Sequence, residues 1–560
     1  MTAGSEALRR DAEAARDALL QAHVAAAGEG DLAAVAARVG AAVAEAEAAG
    51  ERTAWAERFA ALLGSGRFWP SVPILANAGR ADGQLAACFV LEAQDSLGSI
   101  YDTLARAARI QQGSGGVGID LSGLRPHGAA IERSGGVSPG PVAFAELTAH
   151  SARVNALAGR REGAHLVILA DTHPDILAFV EAAREVEALR GAGLAVATSG
   201  ALLDAARRDA PHPLCDPRGK PAGSVSARAL LEAIAAAIRD TGNPTLLFLD
   251  AMAAGNPVPH LGPLRATNPC GEQPLLPGES CVLGSLVLPT FADASGAVDF
   301  DALAAATREA VRFLDDVVDA TCSPDRACEE ATGRTRKIGL GVMGFADLLL
   351  LRGERYGSPE SERTAQEVIA RIAREARSAS EALAGERGAF PAFEGPGAPR
   401  RNASLLAVAP TGTLRLLAGS SAGLEPWIAP VVRVRPPGGD EVRWIDRWLL
   451  DWLETGGTAS AAVVDALEAG LPSDALPGLG PAERALLRRA DEVPPEQQLA
   501  LQACFQAHVD GAVSKTVHLP AETSAGHVVA LIHRAHALGC KGAAFWRATT
   551  APAPCVSCVS

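Results

Sequence analysis

The spacing of apolar residues divides the chain into two unequal parts. Residues 1 to about 66 carry Ala, Leu and Val at helical spacing with few helix breakers, which predicts a helical N-terminal region. From Phe68 to about Arg547, short apolar runs alternate with amphipathic stretches and with turns rich in Gly, Pro and Asn. This alternation is typical of an α/β fold with a buried sheet, and runs such as 166–169 and 245–249 predict its strands.

Two further segments have clear boundaries. Residues 361–387 predict one long helix, which ends at Gly388. Residues 549–560, rich in Ala and Pro, predict a flexible and partly extended C-terminal arm. The pattern therefore predicts three parts: the helical region over 1–66, an α/β domain over 67–548, and the arm.

Composition and charge exclude several classes of function. Of the 560 residues 48% are hydrophobic and 21% charged, and the net charge is -14. Because no cluster of Lys and Arg occurs, no nucleic-acid-binding surface is predicted. The N-terminal segment lacks the apolar core of a signal peptide, and no apolar stretch is long enough to span a membrane. We therefore expect a cytoplasmic protein that binds nucleotides, if at all, as small molecules.

The ten cysteines are too sparse for a disulfide-stapled secreted domain, so unusual cysteine placement points to redox or metal chemistry. The most suggestive is Cys270, within Asn268-Pro269-Cys270-Gly271-Glu272. Pro269 favours an extended Asn268, and an extended segment would point positions 268, 270 and 272 the same way. An amide, a thiol and a carboxylate would then face one small site. The alternative is an ordinary turn with a buried cysteine.

The C-terminal arm carries Cys555 and Cys558 in Cys-x-x-Cys spacing, which is typical of dithiol redox motifs and of half a zinc site. Zinc would need two further ligands, and neither a second Cys-x-x-Cys nor a His pair lies nearby, so no metal site is predicted. On a flexible arm the pair suits electron transfer by thiol–disulfide exchange. An incidental pair is the alternative.

Two glycine-rich segments could hold phosphate groups. One is residues 113–118, followed by Arg125, and the other is residues 410–413, followed by helix-like sequence. Glycine lets backbone N–H groups approach an anion, and hydroxyls add donors at a helix start. Neither segment is a Walker or Rossmann motif, and each alone is more typical of a plain loop.

Taken together and in order, these segments resemble the large chain of ribonucleotide reductases, over roughly Gly30 to Ser560. The resemblance rests on residues 71–79, 85–91, 115–118, 124–126, 173–176, 268–272, 281–288, 338–347, 401–403, 410–413, 423–426, 514–516 and 539–542.

The resemblance implies a fold and a set of catalytic residues. The fold would be a ten-stranded α/β barrel of two parallel five-stranded halves, with a central finger loop that carries Cys270 at its tip. Cys270 would be the thiyl radical that takes the ribose 3′ hydrogen. Glu272 would be the general base on the 3′ hydroxyl, and Asn268 would hold the substrate hydroxyls.

The resemblance also implies two cysteine pairs that carry electrons. Cys88 and Cys281 would reduce the 2′ position and end as a disulfide. Cys555 and Cys558 would re-reduce that disulfide by exchange, and a thioredoxin-like or glutaredoxin-like protein would supply the electrons.

Two nucleotide sites and a homodimer are implied in the same way. The effector, a deoxyribonucleoside triphosphate or ATP, would be held by Asp95, Ser96 and Arg125, and residues 157–163 would relay its identity to the substrate base. The residues expected to hold the ribonucleotide substrate, with diphosphates favoured, are Ser71, Ala87, Gly116, Pro410, Thr411, Gly412 and Thr413.

The type of radical source follows from residues that the chain lacks. It has two tyrosines, Tyr101 and Tyr356, and it has Phe545-Trp546-Arg547 where adjacent tyrosines carry the radical in the iron- or manganese-dependent type. The glycyl-radical motif of the anaerobic type is absent from its C-terminal segment. The resemblance is therefore to the class II type, in which adenosylcobalamin supplies the radical.

The chain departs from the family in three places. Ala87 stands where a hydroxyl residue is common, His518 where Asn is usual, and residues 156–163 have lost part of their usual Gly and Arg content. Effector specificity is therefore less firmly predicted than catalysis. The region over 1–66 is too short for the family's ATP-binding activity domain, so on/off control by ATP and dATP is not expected.

Two other functions remain open from the residues alone. A catalytically silent nucleotide-binding paralogue that acts as a regulator would not need to retain Cys270, Glu272 and both cysteine pairs. A simple thiol oxidoreductase of another class would leave residues 268–272 unexplained.

Overall fold

The computed structural model describes residues 3–132, 135–156, 164–189, 192–323, 325–395, 397–435, 441–456 and 461–547. The predicted C-terminal arm with Cys555 and Cys558, and the predicted relay segment 157–163, lie outside the described residues.

Three helices precede the sheet, over Ala3–His23, Leu32–Val43 and Arg52–Gly64. The second helix begins where the Asp31 carboxylate accepts a hydrogen bond from Ala34 N at 2.9 Å. It packs closely against the third helix, because a Cβ atom on Gly40 would lie 2.7 Å from a backbone oxygen of that helix. The predicted helical start of the chain is confirmed.

The main sheet contains ten strands, which we number in chain order. They are β1 Phe68–Pro70, β2 Cys88–Glu92, β3 Gly116–Asp120, β4 His165–Ala170, β5 Gly193–Thr198, β6 Thr245–Phe248, β7 Ser280–Val287, β8 Ile338–Met343, β9 Thr516–Leu519 and β10 Gly542–Arg547. Of the two apolar runs that predicted strands, 166–169 lies within β4 and 245–249 covers all of β6, so both predictions are confirmed.

The strands form a barrel of two parallel halves. Strands β2 to β6 pair in parallel in chain order, and β7 pairs with β8 as β9 does with β10. The extended segment 405–408 connects β8 to the residues before β9, through the bridges Leu340–Leu406 and Val408–Val513. Antiparallel pairs β2–β7 and β6–β10 join the halves and close the barrel. With segment 405–408 as the fifth strand of the second half, the predicted ten-stranded barrel is confirmed.

Helices and small hairpins surround the barrel, and no helix among the described residues is both long and apolar enough to cross a bilayer. The remaining helices are Val72–Asn77, Leu97–Gln112, Gly140–Ala156, Ile176–Glu185, Gly200–Arg207, Ala227–Thr241, Leu249–Ala254, Phe300–Ala320, Arg326–Thr335, Phe345–Leu351, Pro359–Arg387, Gly412–Ala418, Arg447–Thr455, Ala461–Glu468, Pro481–Leu486, Pro495–Gln506 and Ala525–Ala537. The paired short strands are Ala130–Ile131 with Gly136–Val137, Pro211–Cys215 with Pro221–Ser226, and Val431–Val434 with Val442–Ile445.

The long helix predicted over 361–387 is confirmed and begins slightly earlier, at Pro359. Ser358 caps it by accepting a hydrogen bond from Ser361 N, and Pro359 suits the first turn because its missing N–H is not needed there. The helix ends at Gly388, which has a φ of +83°.

A finger loop between Gly262 and Glu279 threads the barrel, and its two short strands pair as Ala266–Thr267 with Pro274–Leu275. Glycines in the barrel wall make room for it. A Cβ atom on Gly118 of β3 would lie 1.8 Å from Thr267 O, and one on Gly339 of β8 would lie 2.2 Å from Gln273 Nε2. Residues of both halves therefore enclose the tip of the loop.

Candidate active site

An open cleft of about 790 Å³ lies at the end of the barrel where β2 and β3 begin. The tip of the finger loop contributes Asn268, Cys270 and Glu272 to its lining, and β2 contributes Cys88. All residues predicted to hold the substrate line the same cleft, namely Ser71, Ala87, Gly116, Pro410, Thr411, Gly412 and Thr413. The structure thus brings together residues that lie far apart in the sequence, while their individual roles stay predictions.

The tip of the finger loop is a tight turn, so the extended conformation expected for residues 268–272 is wrong. Gly271 has a φ of +84°, and its N–H donates to Asn268 O at 3.0 Å. The chain must reverse here because the two short strands on either side are antiparallel. The three side chains at 268, 270 and 272 nevertheless face one cleft, because the turn projects them from the end of the hairpin.

Asn268 and Glu272 both contact the thiol of Cys88. The Asn268 amide donates to Cys88 Sγ at 3.0 Å, and the Cys88 thiol donates to Glu272 Oε1 at 3.7 Å. The side-chain oxygen of Asn268 (Oδ1) is also held in place, because it accepts a hydrogen bond from Gln273 N at 3.0 Å. All three side chains are buried, whereas Cys270 is half-buried. The amide is therefore held in one orientation beside the thiol and the carboxylate.

Cys88 is held in its neutral thiol form. Burial raises the pKa of Cys88 well above its usual value, and the negative charge of Glu272 and the neighbouring Cys281 raise it further. A hydrogen bond from Asn268 acts in the opposite direction and is weaker. The Cys88 sulfur that faces the cleft therefore carries a proton.

Cys88 and Cys281 lie directly opposite each other on the antiparallel strands β2 and β7. Residues opposed in this way have Cα atoms about 4.5–5.5 Å apart, which falls within the range that a disulfide requires. Both are free thiols in this structure. Cys281 is fully buried and donates to Val282 O at 3.4 Å. The pair can thus close to a disulfide without rearrangement of the strands.

The segment Pro410–Thr413 forms one wall of the cleft, and the helix Gly412–Ala418 follows it. Thr411 has a left-handed φ of 52°, and its hydroxyl accepts a hydrogen bond from Gly423 N at 2.8 Å. Across the cleft, the buried hydroxyl of Ser71 has no hydrogen-bond partner among the described residues. An unsatisfied buried hydroxyl is costly, and a polar ligand in the cleft would satisfy it.

The predicted effector residues lie together outside the cleft, beyond the end of β2. Arg125 Nε is 2.8 Å from Asp95 Oδ2, and the Arg125 backbone N–H donates to Asp95 Oδ1 at 3.1 Å. Ser96 caps the helix Leu97–Gln112 by accepting a hydrogen bond from Ser99 N. The structure brings the three residues together, and their role as an effector site stays a prediction.

Sequence reasoning missed several residues of the site. Ser285 lines the cleft, and the buried ion pair of Lys337 with Glu279 lies at the base of the finger loop. Ser285 falls inside a segment that carried the resemblance, so its position in a matched strand was a signal for it. The sequence contains no such signal for the ion pair, because Lys337 and Glu279 meet only when the strands beside them are neighbours in the sheet.

Neither tyrosine of the chain lines the cleft. Tyr101 is 56% exposed on the helix Leu97–Gln112. Tyr356 is buried, and its hydroxyl donates to Leu424 O. Among the described residues, no chain of tyrosines therefore leads to Cys270.

Comparisons with known families and proteins agree with this geometry. The family described as "Ribonucleotide reductase, barrel domain" matches residues 86–400 and 397–546, and "Ribonucleotide reductase, all-alpha domain" matches residues 28–83. A solved structure, the alpha subunit of a class Id ribonucleotide reductase of Actinobacillus ureae, superposes with a TM-score of 0.80 over 96% of this chain and 97% of that chain. At 21% identity this likeness concerns the fold alone.

Two curated relatives are similar over most of the chain. The vitamin B12-dependent ribonucleoside-diphosphate reductase of Mycobacterium tuberculosis is 42% identical over 518 residues, which cover 89% of this chain and 72% of that protein. The protein of the same name from Thermoplasma acidophilum is 35% identical over 512 residues, which cover 88% of this chain. This chain spans 65% of the length of the Thermoplasma protein.

Proposed function

The chain belongs to the ribonucleotide reductase large-chain family, and from this membership we propose that it is an adenosylcobalamin-dependent ribonucleoside-diphosphate reductase. Such an enzyme replaces the 2′ hydroxyl of a ribonucleotide by hydrogen and supplies precursors of DNA. The observation that carries the proposal is the meeting of Cys270, Glu272 and the Cys88–Cys281 pair around one cleft. A radical carrier, a base and a two-electron reductant then act on one bound ribose.

The finger loop and β2 would divide the chemistry between them. Cys270, as a thiyl radical, would take the 3′ hydrogen, while Glu272 accepts the proton of the 3′ hydroxyl. Asn268, whose side-chain oxygen accepts a hydrogen bond from Gln273 N, would orient the substrate hydroxyls. The Cys88–Cys281 pair would give two electrons and two protons. The net change converts a ribonucleotide and a dithiol into a deoxyribonucleotide, a disulfide and water.

The surroundings of Cys270 suit a cofactor as the source of its radical. When bound, adenosylcobalamin supplies an organic radical that can generate the thiyl at Cys270. The half-buried Cys270 faces an open cleft, and Val72, Pro73 and Leu414 give that cleft apolar side chains. These residues would hold the cofactor next to the thiol. The absence of either tyrosine from the cleft lining supports the same assignment.

The wall of the cleft formed by Pro410–Thr413 would bind the substrate phosphates. Its backbone turns into the helix Gly412–Ala418, so N–H groups are left at the helix start, where anions bind. The unsatisfied hydroxyl of Ser71 would donate to the substrate from the opposite wall. Two of the relatives are named ribonucleoside-diphosphate reductases, which favours a diphosphate over a triphosphate as the substrate of this chain.

An effector site and the interface of a homodimer would lie on the outer face of the first half-barrel. The Asp95–Arg125 ion pair gives that face a carboxylate and a guanidinium for a nucleotide. Leu97 and Tyr101 are 66% and 56% exposed on one helix, and Val154 is 54% exposed on the helix that packs beside it. Exposed apolar residues on adjacent helices are typical of a protein–protein interface, which a second copy of the chain would cover.

Reduction of the Cys88–Cys281 disulfide would pass through Cys555 and Cys558 and then to a thioredoxin-like or glutaredoxin-like protein. Cys88 lines the cleft, so a thiol from outside the cleft could reach it. The alternative, a silent regulatory paralogue, has no use for a buried dithiol placed beside a half-buried thiol, and we do not favour it.

One assay separates these functions. Purified protein is supplied with adenosylcobalamin, dithiothreitol, each ribonucleoside diphosphate or triphosphate, and each effector, and deoxyribonucleotides are separated and quantified. We expect product from diphosphates only when cobalamin is present. If no deoxyribonucleotide forms under any effector, the catalytic proposal is wrong and the regulatory one replaces it. Activity without cobalamin that depends on a second subunit would exclude the cofactor.

A further inference from the structure

A buried lysine lies beside the dithiol inside the barrel. Strands β7 and β8 pair Val282 with Ile338, and Lys337 immediately precedes β8, so continuing this register by one residue places Lys337 beside Cys281. Gly339, two residues after Lys337, faces the finger loop. Because side chains alternate along a strand, Lys337 also points into the barrel. The lysine and the inner cysteine therefore share one interior surface.

Across the sheet, Cys281 on β7 lies between Lys337, the residue just before β8, and its direct partner Cys88 on β2. Lys337 is 1% exposed, and its ammonium donates to Glu279 Oε2 at 2.6 Å. Thr335 Oγ1 donates to the other carboxylate oxygen at 2.6 Å. A buried ion pair is weak as a source of stability, because desolvation of both charges offsets their attraction. Its position beside a redox pair points to a chemical role.

The two sulfurs of the dithiol differ in access. Cys88 lines the cleft, whereas Cys281 is fully buried and is not part of the cleft lining. Once the two are joined in a disulfide, an incoming thiolate can attack only Cys88 Sγ. The sulfur of Cys281 is then the leaving group, and it takes up a negative charge in a dry interior.

We propose that Lys337 is a positioning residue for reduction of the dithiol, because its ammonium stabilises the Cys281 thiolate as that sulfur leaves the disulfide. The incoming thiolate forms a bond to Cys88 Sγ, the Cys88–Cys281 bond breaks, and its electron pair stays on Cys281. A proton then reaches Cys281, and a second thiol resolves the mixed disulfide on Cys88. This inference rests on the proposed function, in which the pair must be re-reduced after every turnover.

The charges around Cys281 agree with this direction of exchange. Burial raises the pKa of Cys281, and Lys337 is the strongest influence that lowers it. Glu272 and Glu279 both raise it, so the lysine also shields the sulfur from the carboxylate to which it is paired. No cation is among the leading influences on the pKa of Cys88, which faces Glu272. Lys337 is therefore placed to offset part of the cost of a negative charge on Cys281, and no cation does the same among the leading influences on Cys88.

The test uses the full chain without nucleotide or cobalamin. The Cys88–Cys281 disulfide is formed with diamide, and the oxidised protein is then mixed with a monothiol such as 2-mercaptoethanol. Samples are quenched with N-ethylmaleimide over time, and peptide mass spectrometry assigns the alkylated and the mixed-disulfide cysteines. We expect the mixed disulfide on Cys88 and the first alkylated thiol on Cys281. A mixed disulfide on Cys281 would overturn the proposal.

Variants of the lysine test its role in the rate. Lys337→Met should slow the appearance of the Cys281 thiol about tenfold, since a poorer leaving thiolate departs more slowly. Lys337→Arg should restore most of the rate. Because Lys337→Met leaves Glu279 buried without its partner, the double variant with Glu279→Gln is measured beside it. The double variant should also be slow if it is the positive charge that matters.

A matched control removes another buried lysine. Lys515 donates to Glu425 at 2.6 Å and is fully buried, but it precedes β9 and lies outside the strands that carry the dithiol. Lys515→Met should reduce stability without slowing the exchange at Cys88. Folded Lys337 variants that exchange as fast as the unaltered protein would refute the proposal. Thiol exchange is measured without turnover, so it does not depend on deoxyribonucleotide formation. A protein that forms no deoxyribonucleotide would refute the proposed function but would leave the result of the exchange assay valid.

Discussion

Replacing Gly118 by alanine should displace the finger loop and with it Cys270. The added methyl group would lie 1.8 Å from Thr267 O, whereas real Cβ atoms essentially never approach another heavy atom closer than 3.0 Å. The obstructing atom belongs to the backbone of the finger loop, so no side-chain rotation can relieve the overlap. The loop must therefore move by about 1 Å or more, since the methyl group is fixed to a strand at the centre of a sheet.

This displacement should affect the folding free energy and the turnover to different extents. Overpacking of this kind costs about 1–3 kcal/mol of folding free energy, which a folded protein can survive. A misplacement of about 1 Å at a reacting atom can lower turnover by about 100-fold. We therefore expect Gly118→Ala to remain folded with a lower melting temperature and to lose at least about 100-fold in deoxyribonucleotide formation.

Thermal unfolding and single-turnover product formation by pre-reduced enzyme measure these effects separately. Gly333→Ala is the matched control, because it lies in the helix Arg326–Thr335 with no atom within 4 Å of the added Cβ. That change should stabilise the protein by about 0.5–1 kcal/mol and leave turnover unaltered. A Gly118→Ala enzyme with unaltered turnover and melting temperature would show that the loop does not pass against β3 as described.

Three further predictions concern the cysteines and a buried acid. Cys270→Ser should abolish turnover with every reductant, while the Cys88–Cys281 disulfide can still be formed and reduced; residual turnover would exclude Cys270 as the radical carrier. Cys555→Ser should retain turnover driven by dithiothreitol and lose turnover driven by thioredoxin, and equal activity with both reductants would contradict the shuttle role. Burial raises the pKa of Asp347 to about 7, from a usual value of 3.8. The folded state therefore holds a proton that the unfolded state releases, so stability falls as pH rises from about 4 to 7, by at most about 1.4 kcal/mol per pH unit. Asp347→Asn should flatten the decline of the melting temperature between pH 5 and 7, and an unchanged decline would assign it to other groups.

Much of the fold could be predicted because the family's short motifs mark the ends of strands. Segment 85–91 leads into β2, and segment 338–347 contains all of β8. The pairing between strands could not be read from the chain. Closure of the barrel depends on residues 405–408, whose short apolar run bridges its neighbours at only two points.

The candidate site shows the same division. Short motifs contain Cys270, Glu272 and Cys88, so the sequence could identify these three residues. The conformation at the tip of the finger loop could not be predicted in the same way. The expected extended segment failed because Gly271 takes a positive φ, and the antiparallel strands on either side require a reversal that Pro269 alone does not specify. Lys337 could not be identified, because its nearness to Cys281 exists only once β7 and β8 are in register.

The antiparallel junction between β6 and β10 has a consequence for biosynthesis. Leu246 pairs with Ala543, so the wall around the finger loop is incomplete until a late part of the chain has left the ribosome. Pairings between such distant residues form slowly, because the long intervening chain must first be ordered. A growing polypeptide therefore presents Cys281 without the enclosure that buries this thiol completely in the finished barrel.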